Sequence, residues 1–222
     1  MIKNKKLTAV LIIYTVLFYG VWAWFELFAA EKLSAHFGTE FMTELAKCGV
    51  KLAVWALPAF ILIKIFNKNM YIKMPNMFSN RFMARWWLLF AAMVGYFLFV
   101  SYRAHGTVKL ADDIRWEMLI PYILVGLSEE LVFRGWLLNA TMKDSDKLIL
   151  PVAVNAVMFT LIHFPIWYHM GVLEQNLTHF LFLQIIGLSV LFSWTFIRSR
   201  NIVFTMLLHS AYDILVLLFL GS

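Results

Sequence analysis

The 222-residue chain has a single cysteine, Cys48, which excludes an intrachain disulfide and any Cys-based metal cluster. It has five prolines and ten glycines, with no Gly-rich phosphate loop, no low-complexity tract and no internal repeat. Charge is scarce, at 14% of residues, against about 25% in a soluble domain. In place of charge there is 62% hydrophobic residue, 17% aromatic residue and a mean hydropathy of +0.77. Apolar runs of about 20 residues recur along the chain, and only helices satisfy their own backbone across a bilayer. The fold class is therefore all-α, a polytopic transmembrane helical bundle. The net charge of +6 does not point to nucleic acid, because the basic residues fall mainly in short loops between apolar runs, where they set topology.

About seven spans are expected: Leu7–Ala30, Leu45–Phe66, Trp86–Tyr102, Glu117–Leu138, Leu148–Ile166, Leu177–Ile197 and Ile202–Leu220. The basic Met1–Lys6 segment ahead of Leu7 reads as a retained signal anchor, since the following run is long and has no small-residue cleavage site. With the N-terminus cytoplasmic, the inner segments hold Lys3, Lys5, Lys6, Lys64, Lys68, Lys73, Arg81, Arg85, Lys143, Lys147, Arg198 and Arg200. The outer loops hold Lys32, Arg103, Lys109 and Arg115. This asymmetry favours N-in, C-out. Lys64 to Arg85 reads as a solvated loop facing lipid headgroups. Lys47 and Lys51, one turn apart, are expected to snorkel to the interface. Trp86, Trp87, Tyr102, Trp116, Trp167 and Tyr168 fit an interfacial aromatic belt. The composition changes near Arg115, which divides the chain into N-terminal accessory helices over 1–115 and a core over 116–222.

The second half carries polar groups where lipid-facing sequence would not. In Gly126-Leu127-Ser128-Glu129-Glu130-Leu131-Val132-Phe133-Arg134 three charges interrupt an apolar run. Three charges at membrane depth cost on the order of 7–10 kcal/mol, and the apolar residues of the segment return about 5. These charges must face other helices or a water-filled cavity, and they mark a functional site. Glu130 and Arg134 are four residues apart and can pair on one face. Glu129 lies about 100° round the helix, where it is free to point into a cavity. A purely structural ion pair explains Glu130 with Arg134, but not a second carboxylate beside them.

His163 sits in an apolar run one turn after Phe159, with Asn155 two turns earlier on a similar face. Pro165 ends or bends that helix just beyond. His209 and Asp213 form another i, i+4 pair, in which Asp213 can fix the tautomer of His209. His179, Gln184 and Ser189 are weaker candidates, and His36, His105 and His169 read as loop bystanders. Cys48 reads as a small packing residue. Counted from the inner span ends, His163 comes out roughly 10 Å deeper than Glu129 and His209, which requires that the fifth span start later, tilt or bend.

Glu129-Glu130-x-x-x-Arg134, Phe159-x-x-x-His163 and His209-x-x-x-Asp213, each in its own apolar span, resemble the three motifs of the CAAX protease and bacteriocin-processing family (the Abi-like intramembrane proteases). The resemblance covers about Glu117 to Leu220. It implies that Glu129 and His163 hold and activate a water, that Glu130 with Arg134 supports them, and that His209 with the following polar residue stabilises the oxyanion. The family often has Asn at the last position. Asp213 stands there in this chain, and an ionised carboxylate accepts but does not donate. Asp213 therefore donates only when protonated, or else orients His209.

The expected activity is an intramembrane endopeptidase acting on a membrane-associated peptide or protein, such as a prenylated tail or a bacteriocin- or pheromone-type leader. The setting is a bacterial cell membrane, the partners are lipids and that substrate, and oligomeric state is left open. No Ser or Cys stands beside a base, which leaves a covalent triad unsupported. A metal-free glutamate mechanism is favoured with no cofactor. Zinc on two His and a carboxylate is the alternative, although HExxH is absent. Two non-proteolytic readings compete with this one. A membrane immunity or binding protein would use the polar cluster only for packing. A proton-coupled transporter is opposed by the lack of inverted repeats.

Overall fold

The computed structural model describes residues 4–79, 84, 86–145 and 147–221. The topology count also drew on Lys3, Arg81 and Arg85, which lie outside these residues. Among the described residues the chain is helical with no strand. Helix α1 is Lys5–Phe37, α2 is Glu40–Ile65, α3 is the short Met74–Ser79 and α4 is Trp86–His105. Helix α5 covers 119–142, from Leu119–Glu130 through wider π-helical turns at Leu131–Leu138 to Asn139–Met142. Helix α6 is Ile149–His169, α7 is Leu173–Thr178, α8 is Phe182–Ser199 and α9 is Ile202–Leu220.

Six of these helices (α1, α2, α4, α6, α8 and α9) are long and apolar enough to cross a membrane. Helix α5 is excluded by composition alone, since every 18-residue window within it contains Glu129, Glu130 and Arg134. It spans about 36 Å at 1.5 Å per residue, so its length is sufficient. Its surroundings explain the charges. It packs against α2, α6, α8 and α9, and every residue from Ser128 to Ala140 is buried. A helix enclosed by other helices offers its polar groups to protein and not to lipid.

The outer helices show the complementary pattern. On α1, Leu7, Leu11, Tyr14, Phe18 and Trp22 form an inward stripe at helical spacing, while Ile12, Ile13, Val16 and Leu17 are exposed. In a membrane protein such an exposed apolar face meets lipid. The inward stripe joins an aromatic cluster in which Phe18 and Trp22 lie 4.6 and 4.4 Å from Trp55, and Phe133 lies 5.0 Å from Phe159. Asn4 and Thr39 cap α1 and α2 with their side-chain oxygens.

Three expectations are corrected. The Lys64-to-Arg85 segment is not merely a solvated loop. Asn139 exchanges hydrogen bonds with Ile72 at 2.7 and 2.9 Å, and Met70, Ile72 and Met77 are buried in the core. Trp86 and Trp167 are buried within the bundle and offer no ring face to headgroups, whereas Trp87, Tyr102, Trp116 and Tyr168 are exposed. Lys51 is not at a helix start. The second helix begins at Glu40, eleven residues earlier, which places Lys51 near its middle.

Candidate active site

Close approach of α5 and α9 builds the centre of the site. A Cβ on Gly126 would lie 2.3 Å from Ser210 Oγ and 2.9 Å from its backbone nitrogen, so only glycine permits this contact. One turn along α5 is Glu130, and next to Ser210 on α9 is His209. His209 Nδ1 lies 2.8 Å from Glu130 Oε1. The same oxygen accepts from Arg134 Nη1 at 2.8 Å, which realises the expected i, i+4 pair. Arg134 Nη2 also donates to the Ser189 hydroxyl at 2.8 Å and to its carbonyl at 3.0 Å. The guanidinium lies 4.5 Å from the centre of Phe159 and 5.4 Å from that of Phe192. Arg134 and Glu130 are both fully buried. Charge-assisted bonds and two aromatic faces replace part of the hydration each has lost, and Glu130 Oε2 and Arg134 Nε stay without a hydrogen bond among the described residues. Ser189, a weaker candidate from the sequence, is part of this anchor.

Helix α6 breaks where a deeper site residue was expected. Regular helix ends at Leu161, turns through Ile162 and His163, and resumes at Phe164, with Pro165 in the first turn of the new segment. His163 Nδ1 is 2.9 Å from the Phe159 carbonyl. A carbonyl only accepts, so Nδ1 carries the hydrogen and neutral His163 presents an unprotonated Nε2. At the break and just before it, Trp22 Nε1 donates to the Ile162 carbonyl at 3.1 Å, and Tyr19 donates to the Met158 carbonyl at 2.5 Å. Helix α1 thus holds the bent segment next to His163.

His163, His209 and Asp213 line one cavity of about 400 Å³, with Phe159, Trp167 and Phe192 among its apolar walls. Asp213 Oδ2 lies 3.6 Å from His209 Nε2, in the expected i, i+4 relation. Gln184, also at this cavity, donates to the Tyr212 hydroxyl at 2.5 Å. Asn155 was expected to line the same space. It instead donates to the Phe133 carbonyl at 2.9 Å and fixes α6 against α5. His36, His105, His169 and His179 are exposed.

Glu129 departs from expectation. It is buried, but it is not free: Lys51 Nζ lies 2.7 Å from its Oε1. It is not among the side chains lining the cavity, although its carboxylate interacts electrostatically with His209 and His163 as well as with Lys51. No hydrogen bond from the described residues reaches Oε2. Lys51 itself is 12% exposed, where interfacial snorkelling had been expected. A second polar group unforeseen from the sequence is Glu26 on α1, which is buried with neither carboxylate oxygen hydrogen-bonded among the described residues. Among those residues no three His, Cys, Asp or Glu side chains gather as a metal ion requires.

Residues 112–215 match a family model described as Rce1-like, type II CAAX prenyl endopeptidase. This stretch is similar to the Rce1-like family. It contains Glu129, Glu130, Arg134, His163, His209 and Asp213, and the match supports a CAAX-type membrane protease in general terms. No match was found among curated proteins or among solved structures. The Rce1-like stretch begins just before α5 and ends within α9, so Trp22, Glu26 and Lys51 lie outside it.

Proposed function

We propose that the protein is an intramembrane endopeptidase that hydrolyses a peptide bond of a membrane-associated substrate with a water activated by Glu129 and His163. The observation that carries this reading is that His163, His209 and Asp213, from two separate helices, share one cavity with Glu129 in electrostatic reach. Amide hydrolysis needs a base for water, a proton for the leaving amine and a donor for the oxyanion. Nε2 of His163 and the free Oε2 of Glu129 are the basic lone pairs available to a water between them. Glu129 takes its proton and returns it to the departing nitrogen. His209 is held by Glu130 at Nδ1 and faces Asp213 at Nε2, and the imidazolium form placed between these two carboxylates donates from Nε2 to the oxyanion. Asp213 then orients His209, the role left to a carboxylate where the related proteins often carry Asn. Glu130 and Arg134 anchor the histidine. In this reading each step is assigned to side chains alone.

The substrate class is a prenylated protein tail or a bacteriocin- or pheromone-type leader, whose apolar portion suits the aromatic cavity wall. Residues 116–222 form the catalytic core in this reading, and residues 1–115 are accessory to it. The chain sits in a bacterial cell membrane with its N-terminus in the cytoplasm. In support, basic groups assigned to the inner side gather at one end: Lys73 and Lys143 both donate to the Lys68 carbonyl, and Arg200 lies over Tyr71. Arg115 pairs with Glu40 between segments assigned to the other side.

The test is cleavage of a farnesylated C-terminal peptide and of an unprenylated leader peptide by purified protein in lipid vesicles. Wild type is expected to cleave one of them, and Glu129→Ala and His163→Ala neither. Cleavage at the wild-type rate by both variants overturns the mechanism. A membrane-binding role without catalysis is indicated if cell protection survives Glu129→Gln.

A further inference from the structure

Glu129 and Glu130 are adjacent, buried and acidic, yet only Glu130 is neutralised from within the Rce1-like stretch. Arg134 and His209 are committed to Glu130. The cation on Glu129 comes from α2, 78 positions earlier in the chain. The geometry points to Lys51 as a positioning residue for the catalytic carboxylate: its ammonium holds one oxygen of Glu129 and leaves the other for the attacking water. This inference rests on the hydrolytic reading above and assigns a part of that site to a helix outside the matched stretch.

Four observations carry it. The contact is a short one, 2.7 Å from Nζ to Oε1, and no other hydrogen bond from the described residues fixes the Glu129 carboxylate. The lysine is boxed, with Nζ 5.0 Å from the Trp22 ring centre and 5.2 Å from that of Trp55, so a normally flexible stem is confined. The box is tied to the other half of the site. Trp22 spends its indole N–H on the Ile162 carbonyl beside His163, so one aromatic side chain touches the holder of Glu129 and the helix break that presents His163. Lys51 also opens a π-helical segment, Lys51–Ala56, just as π-helical turns follow Glu130 on α5. Such turns shift the face a side chain takes and recur at functional sites.

The residue type matters. An ammonium is a point charge that binds one carboxylate oxygen, whereas a guanidinium forks across both. A positioning role therefore predicts a loss of kcat in Lys51→Arg as well as in Lys51→Met, whereas a purely structural cation predicts that arginine, which keeps the charge, retains the wild-type rate. Both are measured as kcat and KM with whichever peptide the wild type cleaves, in lipid vesicles. Lys51→Met is expected to lose about 10- to 100-fold in kcat with KM within about threefold, as a carboxylate is displaced by a fraction of an ångström to an ångström. Lys51→Arg keeps the charge and the fold, and is expected to lose at least about fivefold in kcat with KM unchanged, because both oxygens are occupied. Should Lys51→Met fail to fold, Lys51→Arg decides. Wild-type kcat in either folded variant, or a loss confined to KM, overturns this inference and leaves the protease reading intact. A wild-type protein that cleaves neither peptide overturns both.

Discussion

The two sides of α5 handle the same problem differently. On one side, a single oxygen of Glu130, Oε1, meets both Arg134 and His209, with Ser189 and two phenylalanine rings around the guanidinium, while its buried Oε2 has no hydrogen bond among the described residues. On the other, Glu129 has one partner, Lys51, and a second oxygen with no hydrogen bond among the described residues. The first arrangement locks a side chain in place. The second holds its carboxylate by one contact, to a cation from a distant helix. In the proposed mechanism Glu130 takes on support and Glu129 the chemistry, because the helix turns consecutive residues toward different neighbours.

The largest expected effect breaks the chemistry and spares the fold. Glu129→Ala should lower kcat by about 10²- to 10⁴-fold while the protein still purifies as a folded species, since general-base catalysis is worth that much. The opposite side should respond in the opposite way. Arg134→Met leaves Glu130 buried without its cation and is expected to cost about 3–5 kcal/mol, read as a lowered thermal midpoint in detergent. An unchanged midpoint there would erase the distinction between the two sides. Gly126→Ala tests the seam joining them, because the added methyl meets Ser210. It should destabilise by about 1–3 kcal/mol and weaken activity through the Glu130–His209 contact. Trp22→Phe removes the hydrogen bond to Ile162 and should cost about 1 kcal/mol in thermal stability. Last, Glu40→Gln breaks the exposed pair with Arg115 and should move stability by less than about 1 kcal/mol.

Much of the site was legible because helical spacing is rigid. Glu130 with Arg134 and His209 with Asp213 are i, i+4 pairs, and both appear as read. Pro165 marked the break beside His163. The failures share a cause as well. Lys51 looked interfacial because it lies near a run of polar residues, Glu40 to Lys47, that could be taken for a loop. The structure continues the helix through that run, and an unbroken helix carries the lysine inward. Glu26 was passed over because a single acid in a long apolar run reads as a flank. Asn155 shares a face with His163, but a helix interior offers several neighbours on one face, and its amide donates to the Phe133 carbonyl.

Local spacing and composition were enough to establish that this chain is a helical bundle built for a bilayer and that its second half hides charges at depth. Spacing along one helix is set by backbone geometry, and the cost of charge in hydrocarbon applies wherever the charge falls. Which partner each charge meets depends on how helices far apart in sequence pack. That choice lies with Gly126 against Ser210, with the bend at His163, and with a second helix that begins early enough to bring Lys51 onto Glu129.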